Sequence, residues 1–381
     1  MQRKILKSDR NLSEVMEKLR FDIWDLPSTN GQPYFSENTY YEFTEKQIDS
    51  LYDATKELHL MSLDYVSDVI RKGDYKSLGL NRDMISIIES TYAKTKDSHI
   101  YGRFDLAFDP KVNTIKMLEY NADTPTSLYE SSIVQWDWQQ HHFPDADQFN
   151  SIHENLIERW KDFPSNMYFT AHDNAGKEDW ITLYYLLDTY LSSENKIGNC
   201  INLTDLGLNS NNQFVDTSEN VITDIFKLYP WEYMQNEDFI KQASKANFIE
   251  PAWKVLLSNK SLLPELWKLH PNHPLLLESR YATANSLAKD FIKKPIFSRE
   301  GSNVSSTNEL DPRNENYYDF AVDLYASTGY VIQKDAQMPV YSGMTPVIGS
   351  WVVGDEPSGI SLREDIGFTR NTSVFVPHIF I

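Results

Sequence analysis

Residues 101–129 read YGRFDLAFDPKVNTIKMLEYNADTPTSLY. Two apolar, alternating runs flank a polar turn around Pro110 and Asn113, which predicts a β-hairpin, and side chains two apart on a strand share a face. Arg103 and Asp105 then point one way together, and so do Glu119 and Asn121. Oxygen donors of these types on neighbouring strands suit a hard cation such as magnesium, and an arginine beside them suits an anion. A Glu-x-Asn triplet alone is more often a solvated strand face. It gains weight from a second cluster far along the chain.

That cluster, residues 291–304, reads FIKKPIFSREGSNV. An apolar strand carrying Lys294 runs into a loop, Ser298 to Asn303, where Gly301 and small neighbours such as Ser302 can turn backbone N–H groups toward phosphate oxygens. Arg299 adds a charge. Upstream, Lys254 and Lys260 lie on an expected helix and its end. Each lysine taken singly reads as a solvated helix charge, and Gly301 as a turn glycine.

The chain has no Gly-x-x-x-x-Gly-Lys-Ser/Thr run and no Gly-x-Gly-x-x-Gly turn, so the P-loop and dinucleotide classes are excluded. Lysines arriving from strands, a glycine loop and an Asp, Glu, Asn set match the ATP-grasp arrangement instead. There the nucleotide lies between two α+β subdomains.

With these residues the chain resembles the synthetase domain of glutathionylspermidine synthase and trypanothione synthetase, and more closely the stand-alone members of that family without an amidase domain. The matching motifs are Gly-Arg-Phe-Asp at 102–105, Leu-Glu-Tyr-Asn-Ala-Asp-Thr-Pro at 118–125, Lys-Pro-Ile-Phe-Ser-Arg-Glu-Gly-Ser-Asn at 294–303 and Pro-Val-Ile-Gly-Ser-Trp at 346–351. Their order is distinctive. The carboxylates precede the lysines, the reverse of most ATP-grasp enzymes.

The resemblance implies an α/β (α+β) fold: an ATP-grasp unit with a pre-ATP-grasp βαβ domain and a helical N-terminal region. It implies ATP and Mg2+ as cofactors. Asp105, Glu119 and Asn121 match the magnesium ligands, and Arg103 and Arg363 match arginines at the transferred phosphate. Lys260 and Lys294 match the nucleotide lysines, with Lys254 competing for the place of Lys260. Arg299, Gly301 and Ser302 form the phosphate loop, and Gln333 and Lys334 stand at the hinge to adenine. The implied reaction is ATP-dependent amide formation between a small or peptide-like acid and an amine such as a polyamine, through an acyl phosphate.

Two departures bear on substrate. The glutathione-using enzymes have a serine and a cysteine just after Glu-x-Asn, whereas this segment reads Thr124-Pro125-Thr126-Ser127. Hydroxyls can still hold a carboxylate, so Thr124, Thr126 and Ser127 are candidate substrate contacts. The family's acidic pair that binds a peptide amino end has its nearest counterpart at Glu178-Asp179, which reads equally as an acidic first turn favoured by the helix dipole.

A formal net charge of -19 over 381 residues argues against nucleic acid and permits a cationic substrate, although acidity also serves solubility. The single cysteine, Cys200, sits in an apolar stretch expected to be a buried strand, and excludes an internal disulfide or a Cys-based zinc cluster. No apolar run approaches the roughly 20 residues that span a bilayer. A cytoplasmic location with no membrane partner is expected, while oligomeric state is left open.

Along the chain, residues 1–148 are expected to hold a helical region and the hairpin, 149–250 the βαβ domain, and 251–381 the nucleotide-binding subdomains, with 300–316 as a candidate lid. Trp136, Trp138, His141 and His142 read as packing aromatics with solvated histidines rather than a metal site. Two other functions stay open: an ATP- and magnesium-binding protein without ligase activity, acting in regulation or interaction, and a carbohydrate-active hydrolase, since aromatics make up 13% of the chain. The latter leaves Lys294 and the glycine loop unexplained.

Overall fold

The computed structural model describes residues 1–28, 31–283, 290–316 and 328–381. The hairpin forms as the alternation predicts, with strands Tyr101–Asp109 and Thr114–Asn121. Its turn closes through Asn113 at φ 51°, a conformation asparagine tolerates better than most residues. Asp105 pairs with Glu119 and Arg103 with Asn121, and a register shift follows Asp105.

The hairpin is the edge of a five-stranded antiparallel sheet that continues through Thr345–Val353, Glu356–Asp365 and Val374–Val376. This sheet draws strands from distant parts of the chain. The helix Glu45–Lys72 contacts it and runs from a Thr44/Gln47 capping box to a left-handed Gly73. Its buried residues Leu51, Leu58, Tyr65 and Val66 join Phe104, Leu106 and Met117 in the largest core cluster. The N-terminal region is not only helical: Gln2–Ile5 and Thr39–Phe43 form a small sheet with His378–Phe380. Their short polar and aromatic runs give little period-two signal, and pairing with the chain's far end is invisible to local pattern.

A second sheet is wholly parallel, in the order Asn247–Ile249, Asp224–Leu228, Asn166–Ala171, Ile197–Asn202. The strand, helix and strand of the βαβ domain expected within 149–250 are present at Asn166–Ala171, Lys177–Ser192 and Ile197–Asn202. Cys200 corrects an expectation: it is exposed, not buried. Its strand is the sheet's edge and has a neighbour on one side only, so an apolar sequence there is incompletely covered.

A third, antiparallel sheet orders Ser279–Tyr281, Tyr330–Lys334, Phe291–Pro295 and Ser305–Ser306. Among the described residues no helix is long and apolar enough to cross a membrane.

Candidate active site

A cavity of about 770 Å³ lies where the three larger sheets meet, lined by the 101–121 hairpin, the strand that carries Lys294 and the start of the helix at Lys177. Every residue to which the resemblance assigns a cofactor, catalytic or substrate role lines it except Ser127 and the alternative lysine, Lys254. The Lys254 ammonium is fully buried, bonded to the Tyr101 carbonyl at 2.6 Å and paired with Glu250 at 2.8 Å. Lys260 is the lysine of the two that faces the cavity, held by its own Nζ–H donating to the Ser298 carbonyl at 2.9 Å.

The hairpin side of the cavity is an ordered set of charges. Arg103 Nε donates to Asp105 Oδ1 at 2.7 Å and Arg103 Nη1 to the Thr126 carbonyl at 2.7 Å. The guanidinium lies 5.6 Å from the centre of the Trp351 ring. Gly349, paired with Asp105 on the next strand, makes room for this arginine: a Cβ there would stand 2.8 Å from Arg103 Cδ and 2.7 Å from Ser361 Oγ. Arg363, two residues along from Ser361, approaches Asp105 Oδ2 at 3.5 Å. Asn121 Nδ2 donates to Glu119 Oε1 at 3.0 Å, and Lys260 lies 3.2 Å from Glu119 Oε2.

Burial opposes the charge on Glu119, but Lys260 and Lys294 outweigh it and hold the carboxyl down at about 2. Lys294 is lowered to about 8 by burial, against the pull of Glu119. Its Nζ donates to Gln333 Oε1 at 2.8 Å and the Leu118 carbonyl at 2.9 Å, while Gln333 Nε2 donates to the Met117 carbonyl at 3.0 Å. Lys294 and Gln333 thus tie the third sheet to the hairpin. Lys334 lies at the rim and is exposed.

The glycine loop closes over the opposite side. Gly301 has φ 71°, and a Cβ on it would come within 2.3 Å of the Thr369 carbonyl. Only glycine fits both demands. Ser302 is buried beside it, and Arg299 Nη2 donates to the Thr124 carbonyl at 3.2 Å.

Asp105, Glu119 and Asn121 line one cavity, and their hard oxygen donors are of the kind magnesium takes. Among the described residues no group of three or more His, Cys, Asp and Glu is placed to hold a metal ion. The candidate set is two carboxylates and a carboxamide. Trp138 is buried and packs on His142 with ring centres 5.2 Å apart, but the reading as packing aromatics with solvated histidines holds only in part: Trp136 is exposed, and His142 is largely covered and meets Glu37 Oε1 at 2.7 Å.

The far end of the cavity is acidic. Glu178 and Asp179 line it from the first turn of their helix, and Asp179 is raised to about 6 by burial and by Glu178. Glu300 is raised by the same causes in the same order. Thr124 Oγ1 is buried without a hydrogen-bond partner. Such an orphan on a cavity wall marks a place where a ligand oxygen or amine can bond.

Several lining residues escaped sequence reasoning. Ile23, Leu26 and Tyr34 come from the N-terminal region, and His172, Tyr229 and Tyr233 from the parallel sheet's loops. No motif surrounds them. Arg313, paired with Asp311 at 2.6 Å and with Asp335, lies 4.9 Å from the Phe368 ring and closes the rim near Lys334.

Residues 3–381 match the family model described as glutathionylspermidine synthase preATP-grasp. A candidate acid–amine ligase of Haemophilus influenzae is 41% identical over 380 residues, covering 95% of this chain and 94% of its own. Trypanothione synthetase of Crithidia fasciculata is 26% identical over 305 residues, 71% of this chain and 46% of its own, so this chain spans about half the length of that relative. Among solved structures, a glutathione synthetase-like effector from Globodera pallida in its apo form covers 98% of both chains with a TM-score of 0.55 at 11% identity, a likeness of fold.

Proposed function

This chain belongs to the glutathionylspermidine synthase family, and we propose that it is an ATP-dependent carboxylate–amine ligase that makes an amide through an acyl phosphate. One observation supports this above all: four cationic side chains, Arg103, Lys260, Lys294 and Arg363, converge with Asp105, Glu119 and Asn121 on a single cavity whose other wall is a glycine loop.

A carboxylate is a poor acyl donor because its oxygen leaves badly, so the acid is first phosphorylated. Lys260, Lys294 and Arg299, with the N–H groups around Gly301 and Ser302, would hold the triphosphate, and Gln333 and Lys334 would face the adenine and ribose side. Asp105, Glu119 and Asn121 would hold magnesium, which would supply neutralisation of phosphate charge there. Arg103 and Arg363 stand where they can hold the acid's carboxylate against the γ-phosphate and offset the charge that spreads over the phosphoryl oxygens. Both arginines now rest on Asp105, and Lys260 on Glu119. These internal ion pairs keep the site in order and are exchanged for phosphate and cation on loading.

The amine then attacks the acyl carbonyl and phosphate leaves, with no protein nucleophile required. Thr124 and Thr126 would orient the acid, and Glu178 and Asp179 would receive a cationic group of either substrate. Incubating the purified protein with magnesium-ATP and a panel of peptides and amines, with ADP and product mass read together, tests the proposal. ADP release that requires an acid, with a condensed product, is expected. Tight ATP binding with no ADP release for any acid would favour a non-ligating nucleotide-binding protein.

A further inference from the structure

The acidic end of the cavity continues into the protein interior. Ser127 stands behind Glu178, its Oγ–H donating to Glu178 Oε1 at 3.4 Å. The Tyr34 hydroxyl lies 3.3 Å from Ser127 Oγ and 2.9 Å from Glu130 Oε1. Four side chains from three separate segments therefore form a row from the cavity to a carboxyl that is 1% exposed.

The backbone is special at two members of this row. Ser127 holds φ 66°, outside the range serine prefers, and Glu130 opens a π-helical turn, Glu130–Val134. Such departures persist where the surroundings fix them and concentrate at functional positions. A carboxyl buried this deeply needs a hydrogen-bond partner or a proton. Burial, then the charge of Glu178, pushes Glu130 up to about 8, outweighing its backbone hydrogen bond, the Tyr34 hydroxyl and the Arg363 cation, which act the other way. Around Glu178, Asp179 and Glu300 add further negative charge.

We propose that Glu130 is a positioning residue that shares one proton with Glu178 through Tyr34 and Ser127, so that a cationic amine settling against Glu178 expels that proton. In the free protein Glu130 donates to the Tyr34 oxygen, Tyr34 to Ser127 Oγ, and Ser127 to the Glu178 carboxylate. The pair then carries one negative charge, placed at the cavity. When an ammonium docks, the Ser127 proton passes to Glu178 and on to solvent, Tyr34 re-protonates Ser127, and Glu130 re-protonates Tyr34. One proton leaves, both carboxylates are ionised, and neither hydroxyl is left charged. The acidic wall thereby matches its charge to its occupant. The inference rests on the ligase reading only in taking an amine as that occupant.

Carbon-detected NMR of the full chain labelled with [δ-13C]glutamate tests the shared proton without substrate. A glutamate carboxyl titrating near 8 is expected, absent in Glu130→Gln. In Glu178→Gln it should move down by on the order of one pH unit, because a like charge is removed. In Tyr34→Phe the Glu178→Gln change should no longer move it so far. Calorimetry with 1,4-diaminobutane at pH 7, in two buffers of different ionisation enthalpy, should show close to one proton released per diamine bound, and none in Glu130→Gln. A Glu130 carboxyl titrating in the ordinary range, or one that ignores Glu178→Gln, overturns the proposal. Failure of the diamine to bind, with the NMR result as expected, would count against the amine site and not against the shared proton.

Discussion

The Lys260 ammonium lies 3.2 Å from Glu119 Oε2, and this ion pair joins the lysine's loop to the hairpin across the cavity wall. Lys294 stands on the same carboxylate electrostatically. Glu119 therefore keeps two buried ammonium groups compatible, and under the proposed function it would also offer an oxygen to magnesium.

Replacing Glu119 by Gln should lower acid-dependent ADP formation on the order of a thousand-fold, since a lost metal ligand removes several kcal/mol of transition-state stabilisation. Its side chain is 26% exposed, so cooperative unfolding should be retained. Lys294→Met should weaken ATP binding in calorimetry. Unchanged turnover in folded Glu119→Gln would take that carboxylate out of the chemistry.

Gly301→Ala should act on the phosphate loop alone. The added methyl meets the Thr369 carbonyl, and φ 71° strains any other residue, at about 1–3 kcal/mol. The loop is expected to shift, with weaker ATP binding and a modestly lower Tm. If ATP affinity stays at the wild-type value, the loop does not cradle the phosphates.

Acid should weaken the fold through two buried histidines. Burial lowers His99 to about 4, against the pull of Asp355, and lowers His378 to about 3. The unfolded chain takes up these protons near 6.5, so the stability they contribute is full above that pH and declines as the pH falls through the window toward 4 and 3. Each contributes up to about 1.4 kcal/mol per pH unit within its window. Urea unfolding at pH 7.5 and 5 should show a smaller pH dependence for His378→Gln than for wild type. That difference isolates the histidine from buried carboxyls such as Glu130, whose raised values act in the opposite direction.

Substrate choice is where this chain should part from the glutathione-using enzymes. Thr124 Oγ1 lies buried on the cavity wall without a partner, and Ser127 is turned away toward Tyr34 and Glu178. The thiol surroundings of those enzymes are replaced while the charged set is kept. Ligation of glutathione to spermidine is expected to be weak or absent, with a different acid and amine preferred. Efficient formation of glutathionylspermidine, detected by mass, would refute this.

The hairpin was legible because strand alternation is local: spacing alone puts Arg103 with Asp105 and Glu119 with Asn121, while the register that pairs Asp105 with Glu119 and Arg103 with Asn121 is seen only in the fold. The lysines were half legible. Both Lys254 and Lys260 are visible as charges, but only the fold shows that Glu250 captures one and leaves the other to the cavity. Cys200 was misread because apolar neighbours do not reveal that a strand lies at a sheet edge. Tyr34 and Leu26 reach the cavity through tertiary packing of the N-terminal region, which leaves no periodic trace.

Transfer of oxygen from the acid to phosphate decides the chemistry. An acid that supports ADP formation is labelled with 18O in its carboxylate and turned over with the amine. One labelled oxygen in inorganic phosphate for each amide formed is the predicted result, because the carboxylate oxygen leaves with the phosphoryl group of an acyl phosphate. Amide formed with unlabelled phosphate, or with AMP and pyrophosphate as products, would contradict it.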